Sequence, residues 1–279
     1  MTNGRVFAVT LLAMLAFAGN SVLCRLALSR TLTDPTSFTA IRLLSGAFFL
    51  WLVVKLRGAT RSGGGHWLSA LALLVYALGF SLAYVGLSAA TGALLLFGAV
   101  QATMLGVGLV RGERLNLKQI AGVLLALGGL IALLLPGLAA PPLRSAALMI
   151  SAGVAWGVYS LRGRGAGDST QVTAGNFLLA APAALLLCLV VPHAALDQRG
   201  VACAVVSGAL ASGLGYTLWY SVLPSLKSTV AAVVQLSVPV IATLSGSILL
   251  DESITRRVML SSGAILGGIA LVVLARRRV

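Results

Sequence analysis

Carboxylates are scarce in this chain. Its 279 residues include only six, and just two of these, Glu113 and Glu252, are glutamates. Charged residues of both signs together make up 9%, against about 25% in a soluble domain whose surface must meet water. With 59% hydrophobic residues and a mean hydropathy of +1.02, most of the surface must face an apolar medium. A soluble fold of this composition would expose far more apolar area than water tolerates, so the chain reads as an integral membrane protein.

The same scarcity narrows the chemistry. Asp34, Glu113, Asp168, Asp197, Asp251 and Glu252 all fall in loops or at helix ends, as do His66 and His193. None is left at the membrane midplane, where ion-coupled carriers commonly hold a proton or sodium relay. A facilitator or exchanger driven by the substrate's own gradient fits better, although backbone carbonyls can also bind ions. There is no Ser/His/Asp set, HExxH or phosphate loop, so neither an enzyme nor a cofactor or metal site is expected. Cys24, Cys188 and Cys203 all lie in apolar runs and give no disulfide framework or metal-ligand spacing. The net charge of +14 is spread through the gaps between apolar runs, which reads as topology and excludes nucleic acid as a partner.

What is abundant is apolar sequence of bilayer length. Spanning the hydrocarbon core takes about 20 residues of helix, and that ruler gives ten spans: 6–28, 36–55, 67–86, 90–110, 117–135, 143–162, 171–191, 201–223, 229–250 and 257–275. "MTNGR" with its following apolar run and Ala16-Phe17-Ala18 has some look of a cleavable signal. Its removal would leave an odd number of spans, so it is read as a true first helix. With the N-terminus inside, thirteen Lys and Arg fall on the cytoplasmic side and five outside, which favours both termini in the cytoplasm.

Ten spans suggest two halves of five. An odd number per half forces homologous halves into opposite orientations, the inverted repeat of many secondary transporters. Sliding the sequence on itself by 139 positions sets Glu113 on Glu252, Gly128-Gly129 on Gly267-Gly268, Ala93 on Ala232 and Leu105 on Leu244. The expected fold is therefore all-α and membrane-integral, with two inverted five-helix repeats at 1–138 and 139–279. Glu113 and Glu252 read as helix-end anchors.

On these residues the chain resembles the drug/metabolite transporter superfamily, specifically its EamA-type ten-helix members. The matching features are "AFAGNSVLCR" (16–25), Arg42 entering the second span, "GERLNLKQIAGVLLALGG" (112–129) with its counterpart "DESITRRVMLSSGAILGG" (251–268), and Pro239 within the ninth span. Within that family the chain is most similar to YddG-type aromatic amino-acid exporters of bacterial inner membranes. The resemblance implies a small-molecule substrate, an amino acid or related metabolite, moved outward by alternating access in a monomer or weak dimer surrounded by lipid. Multidrug or cation efflux is the alternative within the family, and a non-transporting membrane scaffold the alternative outside it. The family commonly has proline in both repeats. Here Val100 stands opposite Pro239, which leaves Pro239 as a lone hinge candidate.

Candidate substrate contacts come from aromatic and amide residues at depth. Tyr76, Phe80 and Tyr84 are four apart and share one face of the third span, and Trp156 and Tyr159 share a face of the sixth. In the eighth span Tyr216 joins them. Core packing competes with a substrate role for all of these. Asn20, Gln101 and Gln235 are amides on helices that the resemblance places around a central cavity, whereas Asn176 reads as interhelical glue. Arg25 and Arg42 read as side chains that snorkel to headgroups. For Arg42, pairing with Asp34 or with a substrate carboxylate is the sharper alternative. Glycines at three- and four-residue spacing in "GVLLALGG" (122–129) and "GAILGG" (263–268) mark the last helix of each half as a packing element.

Overall fold

The computed structural model describes residues 3–58, 64–110, 112, 115–135, 140–163, 168–191, 196–226 and 234–275. Glu113 and His193 lie outside them, as do Lys227 and the basic residues at 276–278. Among the described residues the chain is all-helical, without a strand. We number the helices α1 (Asn3–Arg30), α2 (Pro35–Leu56), α3 (Trp67–Tyr84), α4 (Ala89–Val110), α5 (Leu117–Leu134), α6 (Leu143–Gly163), α7 (Ser169–Val190), α8 (Gln198–Val222), α9 (Ser237–Leu250) and α10 (Arg256–Leu274). Seven of them, α1 to α5, α7 and α8, are both long and apolar enough to cross a membrane. The other three run 21, 14 and 19 residues for α6, α9 and α10.

The scarce acids account for several helix starts. Asp34 precedes Pro35 at the head of α2, where a missing N–H costs nothing, and accepts from the amides and hydroxyls of Thr36 and Ser37. Burial pushes its carboxyl up, but those four donors outweigh burial and leave it below the ordinary carboxylate range. Asp168 caps α7 and Asp197 caps α8 in the same manner. Asn116 and Gln119 form a reciprocal capping box at α5.

Two features depart from ten uniform spans. Residues Ser207–Leu214 of α8 form a π-helical segment between two α-helical ones. In the ninth span, Leu236 is a turn and α9 begins at Ser237, so Pro239 sits in the first helical turn instead of mid-helix. The structural reason is local: proline has no N–H to give to the carbonyl of Gln235, and its ring crowds the turn before it.

Packing pairs helices of the two halves. α2 lies on α7, α4 on α9, and α5 on α10; α1 packs on α8 as α6 packs on α3, and α1 on α9 as α6 on α4. α5 and α10 meet where an added Cβ at Gly122 would lie 2.6 Å from the Gly268 carbonyl oxygen, so only bare backbone allows the approach. Their outer faces present Leu124, Ile131, Met259 and Leu260, all more than half exposed, as lipid-facing side chains must be. The remaining helices surround a central cluster of aromatic rings.

Candidate functional site

Helices α1, α3, α6, α7 and α8 all contribute rings to that cluster. Trp156 of α6 stands 4.8 Å from the Tyr76 ring of α3 and 4.7 Å from the Tyr216 ring of α8. Phe17 of α1 meets Trp156, Tyr216 and Trp219 edge-on at 5.8–6.4 Å, the geometry that ring quadrupoles favour. Between these rings lies a small cleft. Its polar lining is Asn20, Ser21, Tyr76 and Tyr216; its apolar lining is Phe17, Phe80, Leu96, Phe97 and Trp156. The rings are close enough to touch, so the space is a narrow cleft and not an open chamber.

Behind the rings runs a polar network. Asn20 Nδ2 donates to the Tyr76 hydroxyl at 3.3 Å, and Asn20 Oδ1 accepts from Ser207 Oγ at 2.6 Å. Arg42 Nη2 donates to the same Tyr76 oxygen at 3.1 Å, and Arg42 Nε donates to Ser212 Oγ at 3.2 Å. The Arg42 guanidinium also lies over the Tyr76 and Phe80 rings, 5.2 and 5.1 Å from their centroids. Arg42 is 1% exposed. It therefore does not snorkel, and it does not pair with Asp34, whose oxygens serve the α2 cap.

The π segment explains how α8 supplies two serines to one network. Residues five apart fall about 140° apart around an α-helix, whereas the i→i+5 bonding of a π turn brings them toward one face. Ser207 and Ser212 are such a pair. Gly208 between them lets α8 press on α2: a Cβ there would collide with the Arg42 carbonyl oxygen.

Five of the sequence-derived candidates line the cleft together: Asn20, Tyr76, Phe80, Trp156 and Tyr216. Tyr159 does not. It stacks on Trp156 at 5.4 Å, and its hydroxyl accepts from Asn176 Nδ2 at 3.4 Å, while Asn176 Oδ1 accepts from the His66 amide. Gln101, one turn beyond Phe97 on α4, is half-buried outside the lining, and its side-chain nitrogen is buried without a partner. Gln235 is half-buried and also outside the lining, in helical backbone just before the turn at Leu236. Reasoning from the sequence missed Phe17, Ser21, Leu96 and Phe97 as lining, and Ser207 and Ser212 as polar partners. Phe17 and Ser21 flank Asn20 at three and one residues, inside the quoted "AFAGNSVLCR". Nothing in "SGALASGL" announces a π register.

About 7 Å further along α1 from Asn20, a second polar assembly closes one end of the bundle. Arg25 Nε pairs with Glu252 Oε1 at 2.8 Å, and Arg25 Nη1 donates to the carbonyls of Tyr84 and Val85. Glu252 Oε2 accepts from the Ala89 amide at 2.7 Å, at the head of α4 where helix N–H groups lack partners. Arg30 Nη2 donates to the Leu250 carbonyl. One carboxylate thus ties the ends of α1, α3, α4 and α9. Arg25 is a latch and not a headgroup ligand.

Known proteins place this architecture. The chain is 57% identical over 279 residues to an uncharacterised protein of Pseudomonas aeruginosa, covering 99% of this chain and 97% of that one. It is 27% identical over 168 residues to an uncharacterised transporter of Archaeoglobus fulgidus, covering 59% of this chain and 60% of the archaeal one. A crystal structure 19% identical in sequence superposes over 100% of both chains with a TM-score of 0.70, which establishes the shared fold. The sequence profile of the EamA-like transporter family matches twice, over residues 5–135 and 143–274. With membrane-spanning helices and nearly the whole chain matched, this multi-pass membrane protein belongs to the EamA-like transporter family.

Proposed function

We propose that the chain exports amino acids or related small metabolites across a bacterial inner membrane, by alternating access around the central cleft. The observation that carries this reading is the cleft itself. It joins an apolar ring cluster to a hydrogen-bonded polar network, and it is built from helices of both halves. Ligand sites of transporters commonly lie at such a repeat interface near the midplane.

In this reading residues 1–138 and 139–279 are inverted repeats, which the double profile match and the paired helix contacts support. Both termini are cytoplasmic, from the Lys and Arg bias. The rings close over the substrate from α3, α6 and α8, and Pro239 with the turn at Leu236 gives α9 a place to bend. The lack of a membrane-embedded carboxylate among the described residues supports a facilitator or exchanger. Cation efflux is disfavoured by a buried arginine beside the cleft that faces no acid among the described residues. A scaffold without transport would have no need of a cleft.

The test is uptake of a radiolabelled amino-acid panel into proteoliposomes, with and without an imposed pH gradient. Saturable uptake without the gradient, lost in Trp156→Ala protein of normal folded yield, is the expected result. Strict dependence on the gradient would defeat the facilitator reading, and an unaffected Trp156→Ala would remove the ring cluster from the site.

A further inference from the structure

We propose that the central cleft selects an organic carboxylate with an apolar or aromatic body, and that the unneutralised charge of Arg42 is what selects it. This rests on the cleft being the transport site and adds a charge rule to it.

A guanidinium stays ionised in any protein environment, and its removal from water must be compensated by partners. The partners of Arg42 are neutral: two hydroxyl oxygens and two aromatic faces. Its Nη1 is buried and makes no hydrogen bond. The acids are engaged elsewhere or remote. Asp34, Asp168 and Asp197 cap helices, Glu252 pairs with Arg25, Asp251 is exposed, and Glu113 lies outside the described residues. The Arg25–Glu252 pair is the one ion pair among the described residues. Among the described residues, the site therefore carries one positive charge that no acid balances.

The hydroxyls beside it are set as donors. The Tyr76 oxygen already accepts from Asn20 and from Arg42, so both its lone pairs are used and its own hydrogen is free to give. Donation from a guanidinium polarises that phenol further. Tyr216 lines the same cleft, and its buried hydroxyl stands beside Tyr76 and Ser212 without a partner in good hydrogen-bond geometry. Two phenol O–H groups and a cation together fit a carboxylate, which accepts only. For an ammonium the lining offers no anion, and Asn20 Oδ1 is already taken by Ser207. The rest of the lining is apolar, so the carboxylate must carry a body that gains from leaving water.

Three probes of one shape separate the charges: 3-phenylpropanoate (carboxylate alone), phenylalanine (zwitterion) and phenethylamine (ammonium alone). Binding to the full-length protein in detergent is read by calorimetry, and transport by counterflow in proteoliposomes. The expected order is 3-phenylpropanoate at least equal to phenylalanine, with phenethylamine a hundredfold weaker or undetectable. Arg42→Gln should weaken 3-phenylpropanoate at least tenfold without weakening phenethylamine, and Arg42→Lys should restore part of the loss. If Arg42→Gln does not fold, Tyr76→Phe gives the same test, with a preference for the carboxylate reduced several-fold. Phenethylamine binding as tightly as 3-phenylpropanoate, or charge preference unchanged in these variants, overturns the proposal. Displacement by chloride alone at equal concentration also overturns it, because a small inorganic anion would then suffice. Carboxylate binding with no transport of any probe would instead sink the transport reading and leave the charge rule standing.

Discussion

Arg25 and Arg42 lie on consecutive helices of the same half, and both come from apolar stretches, yet the fold uses them in opposite ways. Arg25 is about a fifth exposed and is paired with a carboxylate and two carbonyls. Arg42 is deeper, is held only by neutral groups, and keeps a buried nitrogen without a partner. The first arrangement is a tie between helix ends, in which the compensation of charge is complete within the chain. The second leaves compensation open beside the central cleft. A stable latch and a charge awaiting a ligand are thus built from the same residue type, and the position of Glu252 decides which is which.

The comparison can be broken from either side. The largest effect is expected from Gly208→Ala, whose methyl would collide with the Arg42 carbonyl oxygen. Pushing α8 off α2 should cost about 3 kcal/mol and scatter the serines that hold Arg42, seen as a lower melting temperature and loss of binding, with the Arg25 end intact. Next is Arg25→Leu, which strands Glu252 and two carbonyls. Because the pair is partly exposed, about 2 kcal/mol is expected, below the range for a fully buried pair. Adding Glu252→Leu should recover much of it, and a double mutant no better than the single would show that the tie is not the source of the loss.

Trp156→Ala should reduce transport at least about tenfold, equivalent to about 1.4 kcal/mol, while thermal unfolding changes less than for Gly208→Ala. Arg42→Gln sharpens the contrast, since removing a charge that the chain itself does not neutralise should leave the melting temperature unchanged or raised. A marked fall in melting temperature would place Arg42 with Arg25 as a structural cation. The smallest effect is expected from Gln235→Ala, under about twofold in transport, because its side chain stands outside the cleft lining.

How much of this was legible beforehand varies from residue to residue. Tyr76 and Phe80 share a helix face by spacing alone, and the structure sets both on the cleft, because a four-residue interval survives whatever the helix packs against. Trp156 and Tyr159 share a face by the same rule, yet only Trp156 reaches the cleft, since Tyr159 turns its hydroxyl to Asn176 behind it. Gln101 and Gln235 were named for their depth, but depth along a helix does not say which way a side chain points around it. The π register of α8 was not visible in a run of Ser, Gly, Ala and Leu that suits an α-helix equally well. Pro239 signalled a break correctly in kind but not in place, because the helix restarts just before it.

By itself the sequence determined the helical class, the membrane medium, the helix caps and the small-residue faces of α5 and α10. Each of these follows from composition or from neighbours within about a turn of helix, where backbone geometry is fixed. Only the tertiary structure decided that Glu252 meets Arg25 from more than two hundred residues away, and that Arg42 meets no acid among the described residues. Those outcomes depend on the rotation of each helix about its axis, which is set by contacts between the halves and is recorded in neither helix alone.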